Sequence, residues 1–401
     1  MSSQVSEVLA EVYAQGWSRI VAAMIRFTRD WDLAEECAQD AFAAAVRKWP
    51  ESGVPDQPLA WLTTAARNRA IDRIRRATAE QAKLRELIGV EPVPYVSDSE
   101  IPDERLELMF TCCHPALSTE AQVALILRTL AGLDTAEIAR AFLVPEKTMG
   151  QRLFRAKQRI KNAGIPFRVP AAHLLPERVP ALLHVLYLVF NSGYGAPEKA
   201  MLCREAIRLG RLVVALMPDE PEAVGLLALM LLQDARRASR FDASGDLVVL
   251  EDQDRSLWDL SLIAEGSELC ERALRRGRAG PFQLQAAIAA CHTASSTDWA
   301  EIVGLYGHLV RVAPGPVVEL NRAVAVSMAS GPEAALPLVE EIVADGRLEG
   351  YHLLHATRAD LLRRVGRRAE AAADYRRAIE VAPGEPERRF LTARLREVTR
   401  V

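Results

Sequence analysis

Cys112, Cys113 and His114, in the stretch FTCCHPAL, are the tightest grouping of metal- and redox-competent side chains in the sequence. Thiolates and imidazole bind zinc, and neighbouring thiols can be oxidised. The spacing argues against both uses. Zinc sites favour cysteines spaced C-x2-C, whereas adjacent residues on a helix point in different directions. No second cluster lies nearby. The segment DERLELMFTCCHPALS instead reads as a helix ended by Pro115. Packing of the sulfurs in a core is therefore the preferred reading, with a metal or thiol sensor as the lesser one. No nucleophile, base and orienting group can be assembled from the motifs of the chain. No catalytic residue, metal or cofactor is assigned, and the chain is not expected to be an enzyme.

A different chemistry is written in LDTAEIARAFLVPEKTMGQRLFRAKQRIK, residues 133–161. It predicts a short helix, a tight break and a second helix crowded with positive charge. Ile138, Ala139 and Phe142 give the first helix an apolar face, and Pro145 has its φ preset for a first helical turn. In the second helix Met149, Leu153, Ala156 and Ile160 form one stripe. The other faces carry Lys147, Thr148, Gln151, Arg152, Arg155, Lys157, Arg159 and Lys161. A helix seated in a major groove needs polar tips for base edges near its start and cations for phosphates along its length. A solvated basic face is the alternative. The net charge of the whole chain is -3, so any contact with nucleic acid must come from such local patches.

Residues 58–76, PLAWLTTAARNRAIDRIRR, supply a second patch. Leu59, Leu62, Ala66, Ala70 and Ile74 make an i, i+3/i+4 stripe. Trp61 and Thr64 stand near the start of the predicted helix, followed by Arg67, Asn68, Arg69, Asp72, Arg73, Arg75 and Arg76. An aromatic, polar tips and arginines on one helix suit a DNA strand whose bases must be held and whose phosphates must be neutralised. The preceding segment, WDLAEECAQDAFAAAVRKW (31–49), is acidic along one side at Asp32, Glu35, Glu36 and Asp40. Ala34, Ala38, Ala41, Phe42, Ala45 and Trp49 make it apolar along the other. That is the pattern of a protein-docking helix or of an ordinary amphipathic core helix.

The elements that must position these patches are nearly all helical. Leu, Ala, Arg and Glu dominate, and alternating β-branched runs are absent, so the expected fold class is all-α. Residues 86–104 and 163–180 carry three and four prolines and interrupt the helical pattern. Further on, GRRAEAAADYRRAIEVAP (366–383) resembles half of a tetratricopeptide repeat, with Ala371, Tyr375, Ala378 and Pro383 on the template and Ala359 as the small upstream residue. DWAEIVGLYGHLVRVAP ends in the same way at Pro314, and REAIRLGRLVVALMP, ending at Pro218, is a fainter third. Gln253, Asp254, Arg255, Trp258, Asp298, Trp299, Asn321 and Arg322 are candidates for a groove lining, with helix caps and packing as the commoner explanation. The first residues have no basic start and no long apolar run. The cysteines are scattered, as in reduced cytoplasmic proteins. A cytoplasmic location and no membrane contact are expected.

Taken in order, DLAEECAQDAF, AWLTTAARNRAIDRIRR, a linker and LDTAEIARAFLVPEKTMGQRLFRAKQRIK closely resemble the bacterial extracytoplasmic-function (ECF) sigma factors of the sigma-70 family. The resemblance covers residues 5 to about 163. It implies a sigma region 2 domain at 5–78 that binds core RNA polymerase and the -10 promoter element. It also implies a linker at 79–103 and a region 4 helix-turn-helix domain at 104–163 that reads the -35 element. A Pro-rich linker (164–180) and a helical extension (181–401) follow, similar to the tetratricopeptide-like domain carried by one group of these factors. Carried over by position, Asp32, Glu35, Gln39, Asp40 and Phe42 fall on the contact with core polymerase. The family's polymerase partners are the β′ clamp helices and the β flap. Trp61, Thr64, Asn68, Arg69, Asp72, Arg73 and Arg76 fall on the -10 helix, and Lys147, Thr148, Gln151, Arg152, Arg155 and Lys157 on the -35 helix. Promoter DNA is the other implied partner, and an unidentified ligand or protein is left for the extension. Pro145 and Gly150 depart from the family's usual residues at their positions. A stand-alone repressor or activator, and a repeat scaffold with a degenerate sigma-like part, are the rival readings.

Overall fold

The computed structural model describes residues 3–85, 104–142, 144–194, 199–242, 244–277, 279–294 and 296–399. It divides into two compact units, Met1–Ser192 and Gly193–Val401. Among the described residues the regular structure is helical, apart from one isolated bridge between Phe241 and Leu247.

In the first unit, α1 (Ser3–Thr28), α2 (Trp31–Ser52) and α3 (Pro58–Arg85) pack on one another. Asp30 starts α2 by accepting hydrogen bonds from the amides of Asp32 and Leu33, satisfying donors that a helix start leaves free. The small residues Ala34, Ala38, Ala41 and Ala45 of α2 are buried and allow the helices to approach closely. Trp49 closes one end of the bundle, edge-on to Trp61 with ring centroids 5.6 Å apart. Leu62, Ala66 and Ala70 of the expected α3 stripe are buried, whereas Ile74 is exposed.

The same unit continues with α4 (Arg105–Cys112), α5 (Thr119–Leu125), α6 (Thr135–Ala141), α7 (Glu146–Asn162) and α8 (Leu175–Tyr194). A π turn, Ile126–Leu130, prolongs α5. Ile126, Leu127, Thr129 and Leu130 of that turn are buried, and Arg128 is its one charged member. Asp134 and Glu137 form a reciprocal capping box at the start of α6. The sequence motif Asp-Thr-Ala-Glu fits it. The linker expected over 164–180 is shorter in the structure, because α8 begins at Leu175 and takes in Pro180. Pro176 stands at the second helical position, where no backbone donor is needed. Arg178 then ties α8 to the unit by donating to the carbonyl of Phe110 at 2.6 Å.

The second unit holds α9 (Ala200–Leu216), α10 (Pro221–Asp234), α11 (Leu260–Leu274), α12 (Pro281–Thr293), α13 (Trp299–Val312), α14 (Pro316–Ser330), α15 (Pro332–Asp345), α16 (His352–Arg364), α17 (Arg368–Glu380) and α18 (Glu385–Thr399). Pro at the first position of α10, α12, α14 and α15 sets where each begins. Each helix from α12 onward packs on its neighbour in sequence, so the cores are local and consecutive, as in stacked helical repeats. The template residues Ala359, Ala371, Tyr375 and Ala378 lie together in the last of these cores. The segment between α10 and α11 crosses to α18, where Asp246 pairs with Arg389.

Two glycines separate packing from propensity. A Cβ on Gly225 would fall 2.8–2.9 Å from the backbone of Gln283, whereas one on Gly304 in α13 would meet nothing within 4 Å. Gly225→Ala should cost about 1–3 kcal/mol through forced backbone movement. Gly304→Ala should stabilise by up to about 1 kcal/mol, the helix-propensity difference. Urea unfolding of the full chain, followed by helical circular dichroism, measures both.

Candidate polymerase and nucleic-acid interfaces

The basic helix α7 buries the expected stripe, Met149, Leu153, Ala156 and Ile160. Pro145 precedes it with an extended ψ of 141° and no side-chain cap. Its carbonyl accepts from the amides of Thr148 and Met149 instead. Lys147, Thr148, Gln151 and Arg155 are exposed and Arg152 is half-buried. Thr148, Gln151, Arg152 and Arg155 line one shallow cavity with Ala116, Leu117 and Ser118 from the turn before α5. Five of the six residues expected on the upstream DNA element thus stand on the accessible side of α7. Gly150 is half-buried, and a Cβ there would meet only a methyl group of Thr135 at 3.9 Å, so close packing does not require glycine.

Lys157 is placed differently. Its side chain is 12 % exposed, and its Nζ lies 2.9 Å from Oδ1 of Asp32 and 3.0 Å from Oε1 of Glu35. Glu35 is itself buried, with its other oxygen 3.3 Å from Nε of Arg128. Arg128 also donates to the carbonyl of Leu133 at 3.0 Å. Two carboxylates of α2 are therefore neutralised by two cations from the helix-turn-helix half. Pairing is what makes the burial of Glu35 tolerable, since an isolated buried charge costs several kcal/mol. Two further contacts join the halves. Tyr13 donates to the carbonyl of Gly132 at 2.9 Å, and Arg26 pairs with Glu104 at 3.1 Å. Burial raises the pKa of the Tyr13 phenol.

On α2, Gln39 is exposed, Asp40 half-buried and Phe42 buried beneath Tyr13 and Trp17. Asp40 and Glu36 both accept from Arg73 of α3. On α3, Thr64, Asn68, Arg69, Asp72 and Arg76 are exposed, while Trp61 is half-buried against Trp49. Arg67 lies over the ring of Phe27 at 5.4 Å. Arg128 has no place in the motif-based reading. Its one sequence signal was an arginine in an otherwise uncharged run, AQVALILRTLAGL.

Cys112 and Cys113 are buried, and Sγ of Cys112 lies 3.4 Å from Oγ1 of Thr129. Burial pushes the Cys112 thiol up to about 12 and the Cys113 thiol well above its usual value. His114 does not join them in a cluster of metal-ligating side chains among the described residues. In the second unit, Asp254 and Asp298 are helix caps, and Trp258 donates to Ser239 at 2.9 Å. Arg255 donates to the carbonyl of Ala294, Gln253 to that of Val248, and Trp299 stands edge-on to His292. These residues are engaged in caps and packing. Asn321 is exposed and Arg322 half-buried. No helix among the described residues is long and apolar enough to cross a membrane.

Residues 13–80 match the profile of sigma-70 region 2, and residues 107–160 match that of sigma-70 region 4. Residues 178–274 match a family of unknown function, DUF6596. The chain is 46% identical over 391 residues to the uncharacterized protein R00370 of Rhizobium meliloti (strain 1021), covering 94% of this chain and 92% of that protein. It is 30% identical over 166 residues to the ECF RNA polymerase sigma factor SigK of Mycobacterium sp. (strain KMS), covering 39% of this chain and 82% of SigK. A thermophilic TPR protein of Thermus thermophilus aligns with a TM-score of 0.35 and 19% identity, over 51% of this chain and 94% of that one.

The thiol environments make a direct forecast. At pH 7.5 the native chain should react slowly with maleimides at Cys112 and Cys113, and promptly in denaturant, as mass spectrometry can follow. The sign of the pH dependence follows too. Folded-state pKa values raised above the ordinary thiol value of 9.0 leave the thiol contribution to stability intact below about pH 9. It is lost as pH rises further, because the unfolded chain then releases protons that the folded one keeps.

Proposed function

Because the chain belongs to the ECF sigma factors of the sigma-70 family, we propose that it binds core RNA polymerase, recognises a promoter at the -10 and -35 elements and directs transcription initiation there. Sigma factors are initiation factors, and the polymerase makes the RNA. The reading assigns the polymerase contact to Asp32, Glu35, Gln39, Asp40 and Phe42 of α2, facing the β′ clamp helices, with the β flap as the second contact. It assigns the -10 element to α3 through Trp61, Thr64, Asn68, Arg69, Asp72, Arg73 and Arg76. The -35 element goes to α7 through Lys147, Thr148, Gln151, Arg152 and Arg155, and through Lys157 once that side chain leaves its carboxylates. The process belongs in the cytoplasm. The observation that carries the reading is the pairing of two exposed polar and basic helix faces, on α3 and α7, within the spans of the two sigma profiles.

Division of labour between the two faces is measurable by run-off transcription with core polymerase on promoter libraries. Arg155→Ala should weaken preference in the upstream element by about 1–3 kcal/mol if it makes a bidentate base contact. Asn68→Ala should alter -10 selection or opening and leave the upstream preference unchanged. Shifts at the same promoter positions for both variants would contradict the assignment.

The second unit is proposed to contribute positively to activity. The broad surface that stacked helices offer for docking supports this reading. Ending the chain after Ser192 keeps α8 with the unit it packs in. That truncation should lower transcription from a cognate promoter, whereas raised transcription would make the second unit an inhibitor.

A further inference from the structure

The second unit gathers arginines that its carboxylates do not neutralise. The stretch DARRASRF, residues 234–241, leaves the end of the apolar helix α10 and carries Arg236, Arg237 and Arg240. Arg237 pairs with Asp234. Among the described residues Arg236 and Arg240 enter no ion pair, and the Nε atom of each is buried without a hydrogen-bond partner. We propose that Arg236 and Arg240, with Arg255 at the rim, form a binding site for a small phosphate-bearing ligand. The inference concerns the second unit alone and does not depend on the sigma-factor reading.

Three observations support the site. First, aromatic rings hold the guanidinium groups in place. Arg240 stacks 3.8 Å from the ring centre of Tyr194, and Arg236 and Arg255 stand over Trp258 at 6.0 and 4.8 Å. Trp258 is itself fixed by its hydrogen bond to Ser239. Stacking engages the flat face of a guanidinium and leaves its in-plane N–H donors for an anion. Second, like charges are held together. Burial lowers the pKa of Arg236, Tyr194 works against that, and the charges of Arg240 and Arg255 lower it further. Arginine stays protonated all the same, so the repulsion persists until an anion enters. His292 adds no charge, because burial and then the charge of Arg236 bring its pKa down to about 4. Its Nδ1 is another buried atom without a partner. Third, acids of the neighbouring segment EDQDRSLWDL serve its own backbone. Asp254 accepts from Ser256, and Asp259 from Ser261 and Leu262. Arg255 is exposed, so the cluster is reachable from solvent. A phosphate monoester brings close to two negative charges and three acceptor oxygens to planar guanidinium forks, whereas one carboxylate compensates a single cation.

The test titrates the full chain, in chloride buffer of fixed ionic strength, with inorganic phosphate, pyrophosphate, AMP and glucose 6-phosphate. Calorimetry reads the binding. At least one of the four should bind saturably at a single site, and at least about tenfold more tightly than succinate, a dianion without phosphoryl geometry. Tighter binding of an ester than of inorganic phosphate would make the ligand an organic phosphate, and the reverse order would make it free phosphate. Arg236→Gln with Arg240→Gln should weaken the binding at least about tenfold, the worth of one lost charge-assisted hydrogen bond. Arg347→Gln, at an exposed arginine of the same unit, should leave it unchanged. Circular dichroism checks the fold of each variant. Should the double variant fail to fold, Arg255→Gln alone, at an exposed position, should weaken the same binding at least about threefold. Absence of saturable binding of all four phosphates to wild type, equal binding of succinate, or binding unchanged in the folded double variant or in Arg255→Gln overturns the site.

Discussion

The carboxylate of Glu35, enclosed between Arg128 and Lys157, is the constraint on which the arrangement of the first unit depends. A buried charge without partners is not tolerated, so wherever Glu35 is covered, cations must come with the cover. Here they come from the π turn after α5 and from the last third of α7. Those two elements are fixed in turn by the apolar residues around them: Ile126, Leu127 and Leu130 on one, Met149, Leu153, Ala156 and Ile160 on the other. One ionic cluster thereby ties the core of the helix-turn-helix to the core of the three-helix bundle. Gly132, at φ +75°, brings its carbonyl to Tyr13 beside that cluster, and a Cβ there would lie 3.0 Å from the ring of Trp17.

The same charges explain why the functional faces remain distinct. The acids of α2 that meet cations are engaged in pairs: Asp32 and Glu35 with the helix-turn-helix half, Glu36 and Asp40 with Arg73. Among the described residues, the other cations and polar tips exposed on α3 and α7 lie outside those pairs, which leaves them available to phosphate. A chain of net charge -3 can present two basic helix faces because most of its acids are placed elsewhere.

Local pattern told most of this in advance. The stripe of α7, the alanines of α2 and the repeat residues around Tyr375 are consequences of 3.6-residue periodicity and of close helix crossing, and both are visible one segment at a time. The start of α8 at Leu175 was less legible, because proline is read as a breaker although it costs nothing in the first turn. The engagement of Glu35 and Lys157 was not legible at all. An acidic position on an amphipathic helix looks solvated until its partner is known, and the partners lie 93 and 122 residues away in sequence. Arg128 alone offered a hint, as a single charge in an otherwise uncharged, largely apolar run. The eight groove candidates of the extension show the reverse case: six of them are caps or packing contacts, which a single sequence cannot tell from a ligand lining.

The central claim is that this chain reads promoters as a subunit of polymerase and not by itself. On this proposal each of the two helices would make few DNA contacts, and the polymerase that carries them would set their separation. The most direct measurement is footprinting of a cognate promoter at physiological salt with the free chain, with core polymerase and with both together. Protection over the -35 and -10 elements should appear only with both. Nanomolar, sequence-specific protection by the free chain would contradict the account and favour a stand-alone repressor or activator.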